Sequence, residues 1–91
     1  MKKYDWNNEK NEKLKKERQI SFEEIVIAIE NGNAMDVIPH PNPEKYPHQF
    51  VYVVNFNEYI FLVPFVEDEK TVFLKTVIPS RKAVKQYLKK R

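Results

Sequence analysis

The 91-residue chain has no cysteine, one glycine, one tryptophan and two histidines. Without cysteine there is no disulfide and no thiol nucleophile. Two histidines eight residues apart, with no cysteine to join them, make a poor metal set. No apolar run reaches the length of a membrane span; the longest, Tyr59 to Val66, is strand-like and holds a proline. The N-terminus lacks the apolar segment of a signal peptide, so a cytoplasmic protein is expected, with no membrane partner. What is present, 42% hydrophobic and 32% charged residues, suits a single soluble domain over residues 1–91.

Charge is unevenly placed. Residues 1–19 carry a net +3, residues 20–74 a net −7, and residues 75–91 a net +7 with no acid at all. Two basic ends that converge on one surface would attract a polyanion. Lys89, Lys90 and Arg91 read as a flexible basic tail.

Local signals order the chain. Tyr4 and Trp6 are spaced to pin the N-terminus onto the core. Asp5 or Asn7 caps a helix to about Arg18, with Glu9–Lys13 and Glu12–Lys16 at the favourable i,i+4 spacing. Leu14 is its one strong apolar residue. Lys10, Lys13, Lys15 and Lys16 either face a nucleic acid or keep the helix solvated. Ser21-Phe22-Glu23-Glu24 is a capping box with an Ile20–Ile25 staple, opening a core helix over 21–31 that ends at Gly32. Glu24 is read as a cap, not a base.

A strand around 34–38 leads into a loop with four prolines in nine residues, which also holds His40, Lys45, Tyr46 and His48. A stiff loop with two imidazoles is suited to acid–base chemistry near neutral pH; an ordinary surface loop would look the same. Residues 50–54 and 59–63 form a hairpin about Asn57-Glu58, and Pro64 marks a bulge or an edge. Residues 71–78 read as one strand with Val72, Leu74 and Ile78 on one face and Phe73, Lys75 and Val77 on the other, toward an uncovered side. Ser80 then caps a last helix whose first turn carries Arg81 and Lys82, followed by Lys85. The fold expected is α+β, in the order α-α-β-β-β-β-α, with helices gathered on one face of an antiparallel sheet of about four strands. An exposed basic and aromatic face suits single-stranded RNA.

The runs Y-D-W-N-N-E-K-N, L-K-K-E-R-Q-I-S-F-E-E and I-P-S-R-K-A-V-K-Q-Y-L, in this order over nearly the whole chain, resemble the BrnT family of toxins. The resemblance implies a RelE-like ribonuclease of a bacterial type II toxin–antitoxin pair. It implies two N-terminal helices on the sheet, RNA cleavage that arrests translation, and neutralisation by a cognate, DNA-binding antitoxin protein. Arg81 and Lys82 match the family's basic pair after the last strand, where active-site cations are expected. Trp6 and Glu24 match shared N-terminal positions. Gln19 stands where the family often has glycine, with one residue inserted there, and the histidine loop departs from the typical toxin. The expected site combines Arg81, Lys82, His40 and His48 as catalytic groups with Lys75, Lys85, Lys13, Lys16, Tyr46 and Trp6 around the substrate. No metal or other cofactor is required. A non-catalytic binding module for nucleic acid or protein is the competing reading, and a dimerising structural subunit a third.

Overall fold

The computed structural model describes residues 2–88, so the expectation for Lys89, Lys90 and Arg91 lies outside the described residues. The elements are β1 (Lys3–Asp5), α1 (Asn8–Arg18), α2 (Phe22–Glu30), β2 (Ala34–Pro39), β3 (Phe50–Phe56), β4 (Tyr59–Glu67), β5 (Thr71–Leu74), β6 (Ile78–Pro79) and α3 (Arg81–Tyr87). Strands pair in the order β1-β5-β4-β3-β2, with β6 also on β4. The sheet therefore has six strands, not about four. It is mixed, because β1 runs parallel to β5. The α+β class holds, and no helix among the described residues is long and apolar enough to cross a membrane.

Period-two alternation sorts β3 and β4 onto two cores. Val54, Val63 and Phe65 pack with Leu14, Phe22 and Ile25 of α1 and α2. Val53 and Ile60, the alternate residues, pack with Ala83 and Val84 of α3. The two N-terminal helices thus share one face, as expected, but α3 covers the other, which corrects the gathering of all helices on one side. Apolar residues on both faces of β3 and β4 are explained by a helix layer on each. The Asn57-Glu58 turn has both residues at positive φ, 54° and 60°, the twist a two-residue hairpin needs.

Residues 71–78 do not form one strand. Leu74 faces Phe65 whereas Ile78 faces Leu62, so four steps along one strand match three along the other. The extra residue lies opposite Pro64. In an antiparallel pair a residue's N–H and C=O point to the same neighbour. Pro64 accepts from the Lys75 N–H at 2.8 Å but has no N–H to return, and the ladder breaks there. The added residue reverses the alternation: Val77 is fully buried with Val72 and Leu74, and Ile78 is 43% exposed. That corrects the expected face assignment of both.

Caps fix the helix ends. Asn7 Oδ1 accepts from the Lys10 N–H, and the Ser21–Glu24 capping box is complete. Gly32, at φ 85°, sends its N–H to Ile29 while Asn33 N–H reaches Ala28, the paired bonds of a Schellman end. Gln19 ends α1 in the same left-handed region, at φ 56°. A Cβ there costs about 1–2 kcal/mol and glycine's extra unfolded freedom offsets part of that. Gln19→Gly is expected to raise the melting temperature and Gly32→Ala to lower it, although nothing lies within 4 Å of a Cβ at Gly32. Thermal melts of the two variants check this; a destabilised Gln19→Gly contradicts it.

One polar residue inside the α1–α2 junction was not foreseen. Asn11 is 3% exposed; its Oδ1 accepts from the Phe22 N–H and its Nδ2 donates to Glu23 Oε1, both at 2.8 Å. The Asn11 bond, ahead of the local backbone N–H, Lys15 and Ser21, holds the Glu23 carboxyl below its ordinary value of 4.5. A depressed carboxyl stabilises the fold above its unfolded pKa, and that contribution disappears as pH falls through the lowered folded value. Asn11→Ala also strands the Phe22 N–H, at about 1–3 kcal/mol. The stability gap between wild type and Asn11→Ala is therefore expected to be wider at neutral pH than below the carboxylate range. Melting curves across that range test it, and a constant gap is the contrary result.

Candidate nucleic-acid interface

On α1, residues 10, 13, 14, 17 and 18 fall on one stripe of the helix. Leu14, 5% exposed, fixes this stripe against the core and leaves its flanks turned toward the chain segment after β5. A cavity of about 200 Å3 results, lined by Lys10, Lys13, Leu14, Glu17, Arg18 and Thr76. Lys10 and Lys13 also line a second hollow, of about 430 Å3, with Asn7, Glu9, Phe73 and Lys75. The two hollows share Lys10 and Lys13, and together they form the trough between α1 and the segment after β5. The pairing of β1 with β5 creates it, since Asp5 beside Phe73 delivers the start of α1 to this edge.

Lys10, Lys13, Arg18 and Lys75 bring four cations to the trough against Glu9 and Glu17. The expected Glu9–Lys13 and Glu12–Lys16 pairs do not form; Glu12 instead meets Lys15 at 3.2 Å. Among the described residues none of the four trough cations is in an ion pair, so their charge stays available. Lys75 Nζ lies 5.8 Å from the centre of the half-exposed Phe73 ring. Cations on two walls with an aromatic ring between them can grip phosphates and stack a base.

The other expected site residues are distributed elsewhere. Trp6 is half-buried and stacks on Phe22 with ring centres 5.7 Å apart, which pins it to the core, and it does not line the trough. Lys16 is exposed on α1 but does not line the trough. Arg81, Lys82 and Lys85 are exposed on α3, whose first turn is closed by Ser80 Oγ accepting from the Ala83 N–H. The hollow that joins Lys13 to Lys75 includes none of these three and neither histidine. His40 is tied into its own loop: Nδ1 accepts from the Asn42 N–H at 3.0 Å and the ring packs on Tyr46 at 4.5 Å. Lys45 lies over the other aromatic of that loop, 5.5 Å from the Tyr46 ring centre. His48 lines a separate cavity with Val37, Phe50, Phe65 and Glu67.

Glu17, Arg18 and Thr76 are trough residues that sequence reasoning missed. Glu17 and Arg18 lie on the same helical stripe as Lys10 and Leu14, and that spacing carried the signal. Thr76 carried none, since its position depends on the break opposite Pro64. No three His, Asp or Glu side chains among the described residues converge as a metal-ligating set. Comparisons of the chain with models of protein families, with curated proteins and with solved structures find no match.

Proposed function

We propose that this chain is the ribonuclease toxin of a bacterial type II toxin–antitoxin pair, acting on RNA in the cytoplasm and held in check by a cognate antitoxin protein. The observation that carries the reading is the trough in which Lys13 and Lys75, from opposite ends of the chain, stand beside an open aromatic ring. The resemblance to the BrnT family supports it from the sequence side. In the reaction an RNA 2′-hydroxyl attacks its neighbouring phosphate, the 5′-oxygen leaves, and lysine and arginine side chains stabilise the charge that builds on the phosphate oxygens. The proton acceptors within the trough are the carboxylates of Glu9 and Glu17. His40 and His48 take that role only if the substrate extends to their loop. Arg81 and Lys82 form a second cationic group farther along the same chain segment, available to an adjoining phosphate.

The placement of both histidines away from the trough favours a second reading, a module that binds RNA without cutting it. Incubation of end-labelled RNA with the pure protein in a metal chelator separates the two. A toxin yields fragments ending in a 2′,3′-cyclic phosphate, whereas a binding module shifts the RNA intact. Arg81→Ala is expected to abolish growth arrest on induced expression in bacteria while leaving the melting curve unchanged. Undiminished arrest by that folded variant removes Arg81 from the mechanism.

A further inference from the structure

Beyond the end of the α1–α2 layer, the sheet face that those helices pack on carries apolar side chains that nothing among the described residues covers. Val37 and Phe50 are 49% and 41% exposed, although both stand on strands. With Phe65, His48 and Glu67 they line a cavity of about 390 Å3. Phe65 is the floor, stacked on Tyr52 at 4.2 Å and tilted against Phe50 at 6.3 Å. Burial, reinforced by the neighbouring Tyr4 phenol and the Glu67 carboxylate, pushes the Tyr52 phenol well above its usual value. Glu67, which lines the slot, is the last residue of β4 and the first of three consecutive acids, Glu67-Asp68-Glu69. A cation already sits there, because the Lys2 ammonium pairs with Glu67 Oε2.

We propose that this slot takes an arginine side chain presented by a basic segment of a partner protein, with Lys2 holding its place in the free chain. A carboxylate on the wall of an aromatic slot matches that side chain part by part. The guanidinium can meet both oxygens of Glu67 in its plane, and the three-carbon stem lies on Phe50 and Phe65. A planar cation also stacks on aromatic faces, which a lysine ammonium does less well. The Lys2 pair is exposed on both sides, and such pairs are weak enough to be displaced. The acidic turn repels a nucleic acid from this end of the sheet. Backbone pairing along β2 is a poor alternative for the partner. The bond from the His40 N–H to Gln49 O sets the alternation that turns the amides of residues 37 and 39 outward. Residue 39 is proline, and the Val37 N–H is taken by Asp36 Oδ1 at 2.9 Å. The partner is thus held by side chains rather than by strand addition.

The inference does not depend on the ribonuclease reading, since the trough and the slot share no residue. The test is a titration of isotope-labelled full-length protein with N-acetyl-arginine N-methylamide, followed by NMR. Saturable shifts at Val37, His48 and Phe50 are expected, with none from the matching norleucine compound. Lys2→Ala should tighten binding by about threefold and Glu67→Gln should weaken it by about fivefold, within the range of exposed charge pairs. Equal shifts from the norleucine compound, equal affinity in Glu67→Gln, shifts at these residues from guanosine monophosphate, or no saturable shift at all would each overturn it.

Discussion

Phe22→Ala is expected to remove about 3–5 kcal/mol of stability, the range for deleting a fully buried aromatic side chain. A chain of this length has only about 5–14 kcal/mol in total, so much of the folded margin disappears. The ring is 0% exposed and meets Trp6 face to face with an interplanar angle of 19°. Its own N–H is held by Asn11, which fixes the start of α2 against α1. Three elements meet at this one side chain, and none can close the resulting space without losing contacts elsewhere. Urea unfolding followed by the emission of Trp6, the single tryptophan, reads both the midpoint and the loosening of this junction. A loss below about 1 kcal/mol would mean that the surrounding side chains collapse into the space, against the close packing of Trp6 and Asn11 on this residue.

The parts of this fold that were legible in the sequence are those decided within a few residues. The capping box at Ser21, the left-handed glycine at position 32 and the turn at Asn57-Glu58 each require a residue type at a fixed local offset. The parts that were hidden depend on pairing over distance. β1 is three residues, Lys-Tyr-Asp, with no alternation to read, and it becomes a strand only because β5 offers an edge. The face of Val77 depends on Pro64 in the neighbouring strand, so a strand read alone gave it the wrong side. Asn11 looks like one more polar residue on a polar helix until Phe22 and Glu23 are placed beside it. The runs at 50–54 and 59–63 are apolar at successive positions, hence on both faces, but nothing local says that α3 covers the second face. In the candidate site, Lys13 and Lys75 were individually visible as cations, while their convergence required the parallel β1–β5 pair. The histidine loop shows the limit from the other direction: its composition suggested chemistry, and its geometry turns His40 inward onto Tyr46.

The double variant Lys13→Glu/Lys75→Glu is expected to weaken single-stranded RNA binding by about two orders of magnitude at low salt, because each reversal removes a phosphate contact and adds a repulsion. The dependence of log affinity on log salt should become shallower by about 1.4, two contacts at the single-strand increment of about 0.7 each. The change also takes the formal net charge from +3 to −1, so a matched control is needed. Lys45→Glu/Lys70→Glu makes the same change at two exposed lysines outside the trough. A diffuse polyanion attraction depends on overall charge and would suffer equally from either pair. A trough with four cations on facing walls loses its grip only when its own lysines are reversed. The slope is the stronger discriminator, since it counts displaced counterions at the contact rather than charge anywhere on the molecule. Equal losses and equal slopes in the two double variants would remove the trough as the RNA site. A loss confined to the Lys13 and Lys75 pair would place at least two phosphates between α1 and the segment after β5.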